Sequence, residues 1–139
     1  MKSRARRSAI LYNRIMDETD GTASYAIDLP DGGLAHVVGN LVQKGPRAEN
    51  RTLVAYGAES LGLPQNELYV LDNTLVNDRR EGRRLTWGWR RELFVRVWGR
   101  PTRVRIANNL LVGPGLVLHG AGEVAGNVRC PDRRALAAP

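Results

Sequence analysis

Polar and apolar residues alternate with a two-residue period between Leu85 and Trp98. Leu85, Trp87, Trp89, Arg91, Leu93, Val95 and Val97 fall on one side, and Thr86, Gly88, Arg90, Glu92, Phe94, Arg96 and Trp98 on the other. That period is the mark of a half-buried strand. Gly99-Arg100-Pro101-Thr102 reads as a turn. Val104 and Ile106 follow, alternating with Arg103 and Arg105, so the pattern predicts an antiparallel hairpin over 85–106. A second hairpin is predicted over 23–42. There Ala23 to Leu29 alternates, Pro30-Asp31-Gly32-Gly33 supplies turn chemistry, and Leu34 to Val42 is an apolar run. Between the two, Leu53, Val54, Tyr56, Gly57, Ala58 and Leu61 match one face of a helix over 49–61. Gly62 stands at the place of a C-cap and Pro64 forbids continuation. Glu67 to Leu71 reads as a strand leaving that helix, while Ser8 to Met16 fits a short helix or a strand equally well.

From Ala107 onward the texture changes, with Gly113, Gly115, Gly120, Gly122 and Gly126 set among Leu and Val. Short strands with glycine bulges or tight corners are expected there. Hexapeptide β-helix repeats share this small-and-aliphatic texture, but the stretch is too short to establish one, and no internal duplication is visible. Together these elements predict an α+β fold: one domain over 8–130, dominated by antiparallel sheet, with one packed helix. A flexible basic arm (1–7) and a flexible tail (131–139) flank it.

Charge adds a polarity to this picture. The 139 residues carry a net +7, and 19 of the 21 basic groups are arginine. Residues 1–7 hold +4, residues 8–78 hold −6, and residues 79–105 hold +8. A chain so polarised presents a basic surface to a partner, either nucleic acid or an acidic protein surface. No apolar run is long enough for a membrane-spanning helix, and the short apolar stretch after the basic start does not make a signal peptide. Cys130 is the sole cysteine, which excludes an intrachain disulfide or a cysteine-based zinc site and suits a reducing, cytoplasmic setting.

The chemistry worth testing lies first in the basic hairpin. Arginines neutralise phosphates, and exposed tryptophan faces stack on unpaired bases. Arg79, Arg80, Arg83 and Arg84 lie on the approach; Arg90, Arg96, Arg103 and Arg105 project from the strands. Trp87 and Trp89 share a side with Leu93, Val95 and Val97 and so belong to the core, which leaves Trp98 to stack. The leading expectation is a small basic module that binds nucleic acid or works in a nucleoprotein complex. The alternative is a self-assembling structural subunit whose acidic half meets the basic half of the next copy in a virion or other large complex. The third reading is a small hydrolase or isomerase using His36 or His119 with nearby carboxylates, Glu123 among them. Asp17, Glu18, Asp20, Asp28 and Asp31 lack the spacing of a cation loop, and no serine, cysteine or glycine motif supports a nucleophile or a phosphate loop. No cofactor or metal is implied.

Overall fold

A computed structural model of the chain describes residues 1–79 and 91–137. In chain order its strands are β1 (Arg7–Leu11), β2 (Arg14–Met16), β3 (Ile27–Leu29), β4 (Leu34–Val38), β5 (Leu41–Lys44), β6 (Thr52–Tyr56) and β7 (Glu67–Leu71). There follow β8 (Thr74–Asn77), β9 (Leu93–Val97), β10 (Arg103–Ala107), β11 (Leu110–Val112), β12 (Leu116–His119), β13 (Glu123–Ala125) and β14 (Val128–Cys130), then one helical turn, α1 (Arg134–Ala137). The first sheet runs β1-β4-β7-β10-β13, the second β14-β11-β8-β5-β2 and the third β12-β9-β6-β3. Every pairing is parallel and joins a strand to the one three later. The backbone therefore winds through three faces per rung and stacks each rung on the last, which is a parallel β-helix.

This architecture corrects the expected α+β fold. β3 and β4 lie in different sheets, as do β9 and β10, so neither predicted hairpin exists. A two-residue period is common to parallel and antiparallel strands, and a glycine-bearing turn serves a solenoid corner as well as a reversal. Gly32, Gly33 and Gly99 do adopt left-handed backbone (φ 73°, 87° and 70°), but each turns the chain into the next face. The predicted helix over 49–61 is β6 and the corner after it. All five β6 residues are buried, and such a short apolar run has no periodicity with which to separate strand from helix.

The corner between the first and second sheets repeats one motif in every rung. A residue with left-handed backbone (Tyr12, Gly39, Asp72, Asn108 or Gly126, φ 54° to 67°) precedes an asparagine. The asparagines, Asn13, Asn40, Asn73, Asn109 and Asn127, form a ladder. Each of the first four donates its backbone N–H and its side-chain amide to Oδ1 of the next, at 2.8 to 3.1 Å. From Asn40 onward each amide also donates to a carbonyl of the preceding rung: Ile10, Val37, Val70 or Ile106. Asn40, Asn73 and Asn109 are almost fully buried, so these bonds satisfy groups that water cannot reach. Inside, aliphatic residues stack in register. Ile10, Val37, Val70, Ile106 and Val124 form one row, and Val42, Leu75 and Leu111 another.

Removal of one rung of the ladder orphans several buried groups at once. We expect Asn73→Ala to destabilise the fold by about 2–4 kcal/mol in urea unfolding, since each buried polar group left unpaired costs roughly 1–3 kcal/mol. The near-isosteric Asn73→Asp should cost at least as much, because a carboxylate would face the Val37 and Leu71 carbonyls in place of a donor. Asn13→Ala, at the exposed end, should cost about 1 kcal/mol or less; equal losses at both positions would refute the ladder's role.

Candidate functional site

Among the described residues, Arg79, Arg96, Arg103 and Arg105, singled out by sequence, do not lie on one ribbon. Arg79 is taken inward: its Nε donates to Glu92 at 3.1 Å, and Glu92 is nearly inaccessible, with a side chain 2% exposed. This bond ties together the two ends of the connection between β8 and β9. Arg80, Arg83, Arg84 and Arg90, with Trp87 and Trp89, lie outside the described residues. Arg96 stands on the third sheet, in a register row with Asp28, Ala55 and His119, and its guanidinium lies 4.4 Å from the Trp98 ring centroid. Trp98 also meets the edge of Tyr25, so its ring is engaged within the fold. Arg103 and Arg105 project outward from β10 on the first sheet.

The structure nonetheless brings some of these groups near one corner. From β9 the chain passes through Trp98, Gly99 and the exposed Arg100 into β10, so Arg96, Arg100, Arg103 and Arg105 follow one another around the corner between the third and first sheets. Among the described residues, Arg96, Arg100 and Arg103 have no ion-pair partner, and Arg105 has only Glu123 at 3.8 Å, an exposed pair worth little in water. The same corner at the first two rungs is neutralised. There Lys2 meets Asp28 and Glu59, and Arg4 meets Asp31 and Glu59. Hydrogen bonds from Arg4 and Lys2 hold the Glu59 carboxyl below its ordinary range. Residues of the expected basic arm are thus engaged here, with the Ser3 N–H donating to the Asp28 carbonyl.

The histidines are on different sheets. His36 on β4 stacks on Tyr69 of β7, centroids 4.9 Å apart and planes 10° from parallel. The Tyr69 hydroxyl donates to Glu67, which pushes the phenol up and the carboxyl down from their ordinary values. His119 lies on β12 and Glu123 on β13, so the expected acid–base pair is divided between two faces. Two surface hollows of about 160 and 640 Å³, lined by residues such as Met1, Tyr25, Lys44 and Glu59, include neither histidine. The acidic residues are spread out, with Asp20 beside Arg47 and Glu18 beside Arg14. Among the described residues no three His, Cys, Asp or Glu side chains could hold a metal ion, and no helix is long and apolar enough to cross a membrane.

One unusual group was not picked out from sequence. Lys44 ends β5 and is 1% exposed; its ammonium donates to the Ser24 carbonyl at 2.5 Å, beside the smaller cavity. Burial lowers its pKa to about 8, and Asp17 offsets part of that effect. The unfolded chain therefore binds a proton that the folded chain lacks between about pH 8 and the ordinary lysine value of 10.5. Stability should rise with pH across that window. Subtracting the urea-unfolding profile of Lys44→Met from that of the native chain should isolate this rise, and a flat difference would count against a buried, depressed lysine.

No family model, curated protein or solved structure matches this chain.

Proposed function

We propose that this chain is a small basic binding module for nucleic acid, which it holds by the phosphate backbone at the corner where the third sheet passes into the first. The carrying observation is that Arg96 and Arg100 lack carboxylate partners among the described residues and Arg103 faces Glu67 without closing an ion pair, while the basic groups of the first rungs are paired. Guanidinium groups on a rigid β-scaffold suit planar, charge-assisted contact with phosphate oxygens. Because Trp98 is already covered by Arg96 and Tyr25, base stacking contributes little, and the preference for one sequence over another is weak.

Fluorescence anisotropy with single-stranded DNA, single-stranded RNA and duplex DNA tests this reading. Binding should weaken steeply between 50 and 200 mM salt, as a counterion-release process does. Arg103→Ala with Arg105→Ala should lower the magnitude of the log–log salt slope by about 1.4–1.8, on roughly 0.7–0.9 per lost phosphate contact. Trp98→Ala should leave the ranking of single strand against duplex unchanged. Absence of binding to all three at 50 mM salt would end the proposal.

A further inference from the structure

Among the described residues the two end strands of the first sheet are each unpaired on one side, and these open edges match each other. β1 is paired on one side only, by β4, and β13 on one side only, by β10. On either side of β1 the Arg6 carbonyl and the Tyr12 N–H engage β4, so by the alternation of strand groups the backbone of Arg7, Ala9 and Leu11 points to the open side. At the other end the Ala125 carbonyl accepts from Asn108, which turns the Val124 backbone outward. The asparagine ladder is directional and ends in the same complementary way. Asn13 Oδ1 accepts no bond among the described residues, and the Asn127 N–H, which would seek such an acceptor, has no partner there. Val124 occupies the inward aliphatic row yet is 45% exposed, and Val128 beside the ladder is 62% exposed.

We propose that copies of this chain stack end to end, the β1–β2 end of one on the β13–β14 end of the next, and so continue both ladder and sheets. The register that stacks each rung on the last would set Val124 over Ile10 and Asn127 over Asn13 of the next copy. The occupant is a second copy because the free groups at one end are the partners missing at the other. At the start of the segment after β14, Arg133 is bonded back to Asp78, two rungs back along the solenoid and away from the open edge of β13. Arg129 stands at an inward position, but its guanidinium is turned back onto the Gly115 carbonyl and the Phe94 ring. Such a contact is heterologous and does not close on itself, and an uncapped solenoid end is an open template for strand pairing.

Two single substitutions block one end each. Ala9→Pro removes an N–H that faces the open side of β1, where proline is tolerated, and Val124→Arg puts a charge into the contact at the other end. Analytical ultracentrifugation of the intact chain should show mass that grows with concentration. Each variant alone should sediment as a monomer, with far-UV circular dichroism and thermal unfolding close to those of the native chain. Mixed together, the two variants retain one competent end apiece and should form dimers and nothing larger. A native chain that stays monomeric at all concentrations, or association that survives both substitutions, would overturn the proposal; failure of one variant to fold leaves the other, and the native chain's own concentration dependence, to decide.

Discussion

The rest of this molecule depends on the hydrogen bond from one asparagine amide to the next. A parallel β-helix must turn its chain at every corner without leaving buried N–H and C=O groups unpaired. The side-chain amide suits that task because it is donor and acceptor at once. At Asn73 the amide donates to Val37, Leu71 and Asn109 and accepts from Asn40, so one side chain joins three rungs. The spacing of the ladder residues, 27, 33, 36 and 18, shows what that fixes and what it leaves free. One corner is constant, and the variation in rung length is taken up by the connections at the other two. The left-handed residue before each asparagine sets the turn. Gly39 and Gly126 adopt it readily, whereas Tyr12 does so against the usual preference, its ring lying over Gly39, where a Cβ would come within 2.5 Å.

The corner between the second and third sheets is organised by buried charge. Lys44, Asn77, Arg79 and Glu92 all come from the ends of connections there, and three of the four are essentially inaccessible. Asn77 accepts from the Arg79 N–H and donates to both Glu92 and the Pro114 carbonyl, linking rungs much as the ladder does. A buried pair such as Arg79–Glu92 adds less to net stability than its short distance suggests, because both charges are desolvated. Its effect is geometric: the long connection between β8 and β9 begins and ends at one point, so its length does not disturb the stacking of β8 on β5 or β9 on β6.

Much of the strand content was legible in the sequence, and the topology was not. The sequence reads 85–98, 103–106, 23–29 and 67–71 as strands; Leu93–Val97, Ile27–Leu29 and Glu67–Leu71 lie within the first, third and fourth of these, and Arg103–Ala107 begins with the second. Periodicity reports which residues are half buried; it carries no information on whether the next strand returns beside the first or moves to another face. The signal that distinguishes these was present: Leu11-Tyr12-Asn13, Val38-Gly39-Asn40, Leu71-Asp72-Asn73, Ala107-Asn108-Asn109 and Ala125-Gly126-Asn127 share a three-residue form followed by another strand. It escapes a search for duplication because its spacing is irregular. For the site, the arginine excess over residues 79–105 is legible in the sequence, but the distribution of its described members is not, since consecutive strands of a solenoid face different directions. Nothing in the sequence marks out Lys44, because its burial is imposed by the connection that carries Ser24.

Arg129 is the place where the inward pattern is deliberately broken, and it bears on how far such a fold can extend itself. Its register neighbours Leu111, Leu75 and Val42 form an uninterrupted aliphatic row, and at the last rung that row ends in a guanidinium. An inward-pointing charge is a recognised way to blunt the edge of a sheet. Here the charge is satisfied by Gly115 and Phe94 within its own chain, so it does not forbid a neighbour as an unpaired charge would. It does replace an aliphatic contact with a polar one in the middle of any stacked junction. A junction between copies would then be held by strand and ladder hydrogen bonds more than by apolar burial, and since hydrogen bonds exchanged with water contribute about 1 kcal/mol each, it would be weaker than the contact between rungs of one chain, which a continuous aliphatic row closes.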